Sequence, residues 1–215
     1  GLTNLESFKL RSNNGNLTHL DLSDLTSLTY FEASNTHLTS INFDQNTLLE
    51  EILFTENQFI NNLDFSGLTN LTKLSCYDNQ LTSINVSQNT NLRYLNCSAN
   101  QLTTIDLSSL RKLKQVDVSR NLFTTLDFSS LTDCVESNIK YYIDHNPNLI
   151  RVNIKNGKED LVWSDDLHCP NLVYMCLDEI DMPDQGSHLQ QEGITDIEFN
   201  TYCTFVPGGD FNTIT

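Results

Sequence analysis

The chain has 215 residues, with 28 acidic side chains against 12 basic ones and a formal net charge of −16, a balance that repels nucleic acid and anionic lipid at long range. Hydrophobic residues make up 38% of it, with only 8 glycines and 4 prolines. The chain can therefore bury a core, yet no apolar run approaches the roughly 18 residues that a membrane-spanning helix needs.

The chain opens GLTNLESF, without a basic or apolar leader, so a mature fragment is expected. From Leu5 onward it repeats the template LxxLxLxxNxLxxLDLS, with first leucines at Leu5, Leu28, Leu49, Leu71, Leu92 and Leu113. A repeat this short cannot close a core alone, and each unit must bury its apolar edge against its neighbours. The next unit is looser: Tyr141, Ile143, Asn146, Leu149, Val152 and Ile154 recover the pattern after a small insertion. A last partial unit begins at Leu172, with Met175 and Leu177. The expected organisation is a solenoid of about seven coils over residues 1–160, followed by a terminal strand and C-terminal cap of the same domain over 161–215.

Within each coil, apolar residues alternate, as at Leu95 and Cys97 around Asn96, which is the period of a strand with one buried face. Stacked coils then give a parallel sheet. Eight residues after the first leucine come Asn13, Asn57, Asn79, Asn100 and Asn121, with Asn146 at the corresponding place of the looser unit, where the chain must bend away from the sheet. An amide there can donate to and accept from backbone groups that the bend leaves unpaired. Thr36 takes this place in the second coil, with Asn35 beside it, and that coil is expected to be the weakest rung.

The second half of each coil repeats the alternation, as in Leu102, Ile105 and Leu107. It leaves no room for a helix of ordinary length, so short extended or 3₁₀ segments are expected there. Asp21, Asn42, Asp64, Asn85, Asp106, Asp127 and Asn153 form a polar file in these halves. They are expected to point outward and bond neighbouring backbone, because calcium sites of repeat proteins use glycine-rich ligand loops.

This grammar resembles the leucine-rich repeat superfamily, and its doubly alternating 21-residue form is similar to the nested bacterial class of internalin-like surface proteins, from Leu2 to Leu177. The resemblance implies a leucine-rich-repeat solenoid, a curved right-handed superhelix whose concave parallel β-sheet binds a partner. It implies no reaction, few or no α-helices in the repeats and no cofactor.

Cys76 and Cys97 fall at the same inward position of adjacent coils and are expected to be free thiols that pack as small hydrophobes. The stretches LVYMCLDEI and NTYCTFVPGGDFNTIT resemble the cap that closes leucine-rich repeats in secreted proteins of Bacteroidetes. That resemblance implies a Cys176–Cys203 disulfide, and so an oxidising compartment. A bridge between Cys134 and Cys169 is left open: both precede strands of adjacent coils, but in registers three residues apart. The histidines, His19, His37, His145, His168 and His188, are scattered without HExxH spacing, and no GxSxG, phosphate-loop or dinucleotide fingerprint occurs, so neither a metal site nor an enzyme is expected.

Outward strand positions define the face open to a partner. They carry Tyr30 and Glu32 in the second coil, Leu53 in the third, Lys73 and Tyr77 in the fourth, Tyr94 and Asn96 in the fifth, Asp117 in the sixth and Tyr142 in the seventh, with Tyr174 on the terminal strand. Tyrosine offers large contact area and a hydroxyl at low entropy cost. The expected function is a secreted or cell-surface adhesion or recognition module, expected to be a monomer, with a protein partner on this face. The competing readings are a polysaccharide-binding module with tyrosines as stacking platforms, and a non-catalytic spacer.

Overall fold

The computed structural model describes residues 2–11, 17–58, 63–134, 138–162, 167–179 and 197–201. Among them, fourteen short strands, β1 to β14 in chain order, build a parallel β-solenoid. The front sheet has eight strands in the order β1 (Ser7–Arg11), β3 (Tyr30–Ser34), β5 (Glu51–Leu53), β6 (Lys73–Ser75), β7 (Tyr94–Asn96), β8 (Gln115–Asp117), β10 (Lys140–Tyr142) and β12 (Leu161–Val162). The back wall is broken: β2 (His19–Asp21) pairs with β4 (Ser40–Asn42), Asp64 bridges Asn85, and β9 (Thr125–Asp127), β11 (Arg151–Asn153), β13 (Tyr174–Cys176) and β14 (Glu198–Asn200) form a second sheet. The helical content of the described residues is a 3₁₀ turn at Ser129–Asp133, and no described helix is long and apolar enough to cross a membrane.

The interior is a file of stacked side chains. Leu28, Leu49, Leu71, Leu92 and Leu113 are fully buried, one per coil. In the N-terminal coils phenylalanines join them: Phe8 stacks on Phe31 at 6.1 Å, Phe31 meets Phe43 edge-on at 5.6 Å, and Phe43 and Phe54 each stack on Phe65. Such ring pairs contribute about 0.5–1.5 kcal/mol each beyond the area they bury.

Where each front strand ends, the backbone turns through a left-handed residue. Asn35, Glu56, Asp78, Ala99, Arg120 and His145 all have φ between 50° and 55°, and each immediately precedes the asparagine position of its coil. The turn leaves carbonyls pointing inward, and the asparagines collect them. Asn100 Nδ2 donates to the carbonyls of Cys76, Cys97 and Ser98, while its Oδ1 accepts from Leu81 N–H at 2.9 Å. Asn121 repeats this with Cys97, Val118 and Ser119 and accepts from Leu102 N–H. Asn57, Asn79 and Asn146 likewise donate to the preceding coil, at Ala33, Phe54 and Val118. Asn13 lies outside the described residues. Thr36 is fully buried, and its hydroxyl donates at 2.6 Å to Asn57 Oδ1.

A second set of buried amides runs along the back. Asn46 Nδ2 donates to Leu22 and Leu25 carbonyls, and Asn89 Nδ2 to Phe65 and Leu68 carbonyls. Cys134 and Cys169 act in the same way, their thiols donating to Leu110 and Ile143 carbonyls of the coil before. Both are free thiols, as are Cys76 and Cys97, which closes the question of a Cys134–Cys169 bridge. The Cys97 thiol instead donates to the Asp117 carbonyl of the following coil, at 3.6 Å. Cys176 is disulfide-bonded; Cys203 lies outside the described residues.

The polar file of the back halves makes turns. Asp21, Asp64, Asp106 and Asp127 each accept from the N–H of the serine two residues on, at 2.8–2.9 Å, and Asn42, Asn85 and Asn153 accept likewise from Asp44, Ser87 and Lys155. Hydrogen bonding to these serines holds the carboxyls below the usual aspartate range, mainly through the hydroxyl of Ser108 at Asp106 and through the backbone N–H of Ser23 and Ser66 at Asp21 and Asp64.

Candidate functional site

The front sheet presents its outward side chains in rows, because its parallel strands are paired in register. One row runs Ser7, Tyr30, Glu51, Lys73, Tyr94, Gln115, Lys140; the next runs Lys9, Glu32, Leu53, Ser75, Asn96, Asp117, Tyr142. Neighbouring strands of a sheet lie roughly 4.8 Å apart, so these residues form one contiguous surface.

Its N-terminal part is occupied by its own contacts. Arg11 grips both carboxylate oxygens of Glu32, and Tyr30 donates its hydroxyl to the same carboxylate at 2.7 Å. Lys9 lies 4.7 Å over the Tyr30 ring. Glu32 is only 5% exposed, and the Arg11 bond holds its carboxyl below the usual range against the opposing cost of burial. Thr55 donates to Ser34, and Tyr77 donates its hydroxyl to Glu56 at 3.1 Å. Glu32 and Tyr77, read from sequence as ligand residues, thus already have partners within the fold.

The middle differs. Tyr94 is 43% exposed, and its hydroxyl has no hydrogen-bond partner among the described residues. It borders a shallow depression of about 300 Å³ lined by Leu53, Lys73, Ser75, Asn96 and Gln115, over the strand segments at Leu74 and Leu95. Asn96 and Asp117 each accept from the N–H and hydroxyl of a serine two residues later, Ser98 and Ser119. Burial raises the Asp117 carboxyl above the usual aspartate range, with Ser119 opposing and Asp144 adding to the rise.

One predicted member of the face is elsewhere. Tyr174 sits in the back sheet, where it pairs with Arg151 and Glu198; the Arg151 guanidinium lies 5.9 Å from its ring centre. The cause is an ambiguity of the repeat. Both halves of a coil carry LxxLxL, and the run Leu172, Met175, Leu177 continues Leu149, Val152, Ile154 rather than a front strand. The front strand of that coil is the two-residue β12, which the pattern reading passed over.

Sequence reasoning also missed the left-handed residue before each ladder asparagine. The signal was weak, since Glu56, Ala99 and Arg120 are not residues that favour this conformation. Repetition of the bend itself was the available clue.

Residues 90–132 match the family described as Leucine Rich repeats (2 copies). No curated protein matches the chain by sequence. Among solved structures, the chain is similar to the functional domain of InlJ from Listeria monocytogenes, which includes a cysteine ladder, at 24% identity and a TM-score of 0.55, over 81% of this chain and 45% of that one. It is similar to a leucine-rich-repeat protein of Leptospira interrogans at 19% identity and a TM-score of 0.61, over 87% and 52%, and to the internalin inlF of Listeria monocytogenes at 20% and 0.53, over 95% and 49%. The chain thus spans about half the length of each. It has the leucine-rich-repeat fold, in an internalin-like form.

Proposed function

We propose that this chain is an extracellular recognition module that takes a protein partner on the middle of its front sheet, with Tyr94 as the anchor. The carrying observation is the contrast on that face: Tyr94 stands exposed and uncommitted beside a shallow depression, whereas Tyr30 and Tyr77 are held by carboxylates of the fold. A large amphipathic ring beside a hollow is a common feature of a binding hot spot.

An extracellular or cell-surface setting, with an adhesion role in a larger protein, is supported by the disulfide at Cys176, because such bonds persist in oxidising compartments. Binding of purified chain to panels of extracellular proteins and of glycans, beside Tyr94→Ala, tests the reading. A saturable protein partner lost in Tyr94→Ala is the expected result. Retention on glycans alone would replace the protein partner with a polysaccharide, and binding indifferent to Tyr94→Ala would move the site off this face.

A further inference from the structure

Resting on that front-face reading, we infer that the partner is a polypeptide presenting a basic side chain, arginine or lysine, which Asp117 receives beside Tyr94.

Asn96 and Asp117 occupy the same register position on adjacent strands and make the same turn: Asn96 accepts from Ser98 N–H at 3.0 Å and its hydroxyl at 2.7 Å, Asp117 from Ser119 N–H at 3.1 Å and its hydroxyl at 2.7 Å. The fold therefore needs an acceptor oxygen at this place and has no use for a negative charge. A neutral amide already does the work one coil earlier.

Elsewhere on the face carboxylates meet cations directly. Glu32 is gripped by Arg11, and Glu51 lies 3.9 Å from Lys73. Asp117 has no ion pair among the described residues. Arg120 acts on it only through space, while Asp144, itself 3.1 Å from His145, opposes its ionisation, as burial does. A charge that the turn does not require, half-withdrawn from water and without a cation of its own, is a liability for stability. A partner's ammonium or guanidinium would remove it.

The surroundings fit such a group. Asp117 lies between Asn96 and Tyr142 in register, with Tyr94 one row away on the adjacent strand, so a basic side chain would find aromatic rings beside the carboxylate. The formal charge of −16 also favours basic partners at long range.

The test is a set of parallel selections of random displayed 12-residue peptides on the wild-type chain, Asp117→Asn and Tyr94→Ala, with affinities of the selected peptides measured as synthetic compounds. Asp117→Asn keeps the turn, as Asn96 shows. The expected result is a shared arginine or lysine in the wild-type peptides, an affinity about tenfold or more weaker on Asp117→Asn, and a similar loss when that residue is replaced by neutral citrulline or norleucine. The uncharged peptides should then bind the wild type and Asp117→Asn alike. Peptides lost on Tyr94→Ala but unaffected by Asp117→Asn, or without a basic position, would overturn the inference and leave the front-face reading intact. Peptides indifferent to both substitutions would overturn both, and a selection that returns no peptide overturns the inference.

Discussion

The N-terminal coils and the middle coils use the same repeat in different ways. Around Thr36 the interior ladder has one hydroxyl proton to give, spent on Asn57 Oδ1; around Asn100 and Asn121 each amide gathers three carbonyls and an N–H. Outside, the order is reversed. The N-terminal face is tied together by Arg11, Glu32 and Tyr30, and the middle face leaves Tyr94 open. The two faces thus differ in how far their tyrosines are held: Tyr30 is bound to Glu32, and Tyr94 is exposed.

The ladder offers the largest test of this contrast. Asn100→Ala strands three carbonyls and one N–H, and should destabilise by about 3–4 kcal/mol, since each orphaned buried group costs roughly 1–3 kcal/mol before relaxation. Thr36→Ala removes one bond to an oxygen that also accepts from Thr36 and Leu38 N–H, and should cost about 1–2 kcal/mol. Urea denaturation of the two variants decides: equal losses would dissolve the difference between the coils.

Tyrosine substitutions sharpen it next. Tyr94→Ala should weaken partner binding about tenfold or more while leaving the urea midpoint nearly unchanged. Tyr30→Ala should do the opposite, lowering stability by about 1 kcal/mol through the lost hydrogen bond and ring contacts. Binding lost in both, or in neither, would erase the proposed division of the face.

The two halves should also answer pH with opposite sign. The Glu32 carboxyl is lowered by Arg11, so it contributes stability above the unfolded glutamate pKa and loses it as pH falls through the folded value. The Asp117 carboxyl is raised by burial, so its contribution is most favourable below the unfolded aspartate pKa and declines as pH rises through the folded value. Glu32→Gln should thus blunt the acid-side loss of stability. Asp117→Asn should raise the midpoint at neutral pH, by on the order of 0.5 kcal/mol. Urea midpoints measured from pH 3 to 8 would show both, and a neutral-pH loss in Asp117→Asn would contradict the account of Asp117.

The smallest effect is local. Ala99 adopts φ of 50°, a conformation that costs a residue with a Cβ about 1 kcal/mol. Ala99→Gly should therefore stabilise by a few tenths of a kcal/mol to about 1, the gain being reduced by the freedom glycine brings to the unfolded chain. A thermal midpoint below that of the wild type would show that the bend is not strained at Ala99.

Much of this could be read from residue order. The spacing of Leu28, Leu49, Leu71, Leu92 and Leu113 identifies stacked coils because only a repeated apolar edge can bury itself against its neighbours. Asn57, Asn79, Asn100, Asn121 and Asn146 mark the bends because an amide is the small side chain that both donates and accepts there. The back polar file was also legible, from the short reach of Asp and Asn to a backbone two residues on. Alternation likewise named the outward residues from Tyr30 to Tyr142, since side chains on a strand must alternate.

Other matters were decided only when the coils were stacked. LxxLxL serves both halves of a coil, so the sheet that Tyr174 joins depended on which strand lay beside it, and that strand was Arg151–Asn153. Sequence named Glu32, Tyr77, Tyr94 and Asp117 as equals on one face. Stacking brought Arg11 to Glu32 and Glu56 to Tyr77, across 21 residues in each case, and left Tyr94 and Asp117 without such neighbours. Periodicity fixes the direction in which a side chain leaves its own strand; the groups it meets belong to the adjacent coils, and only packing sets those contacts.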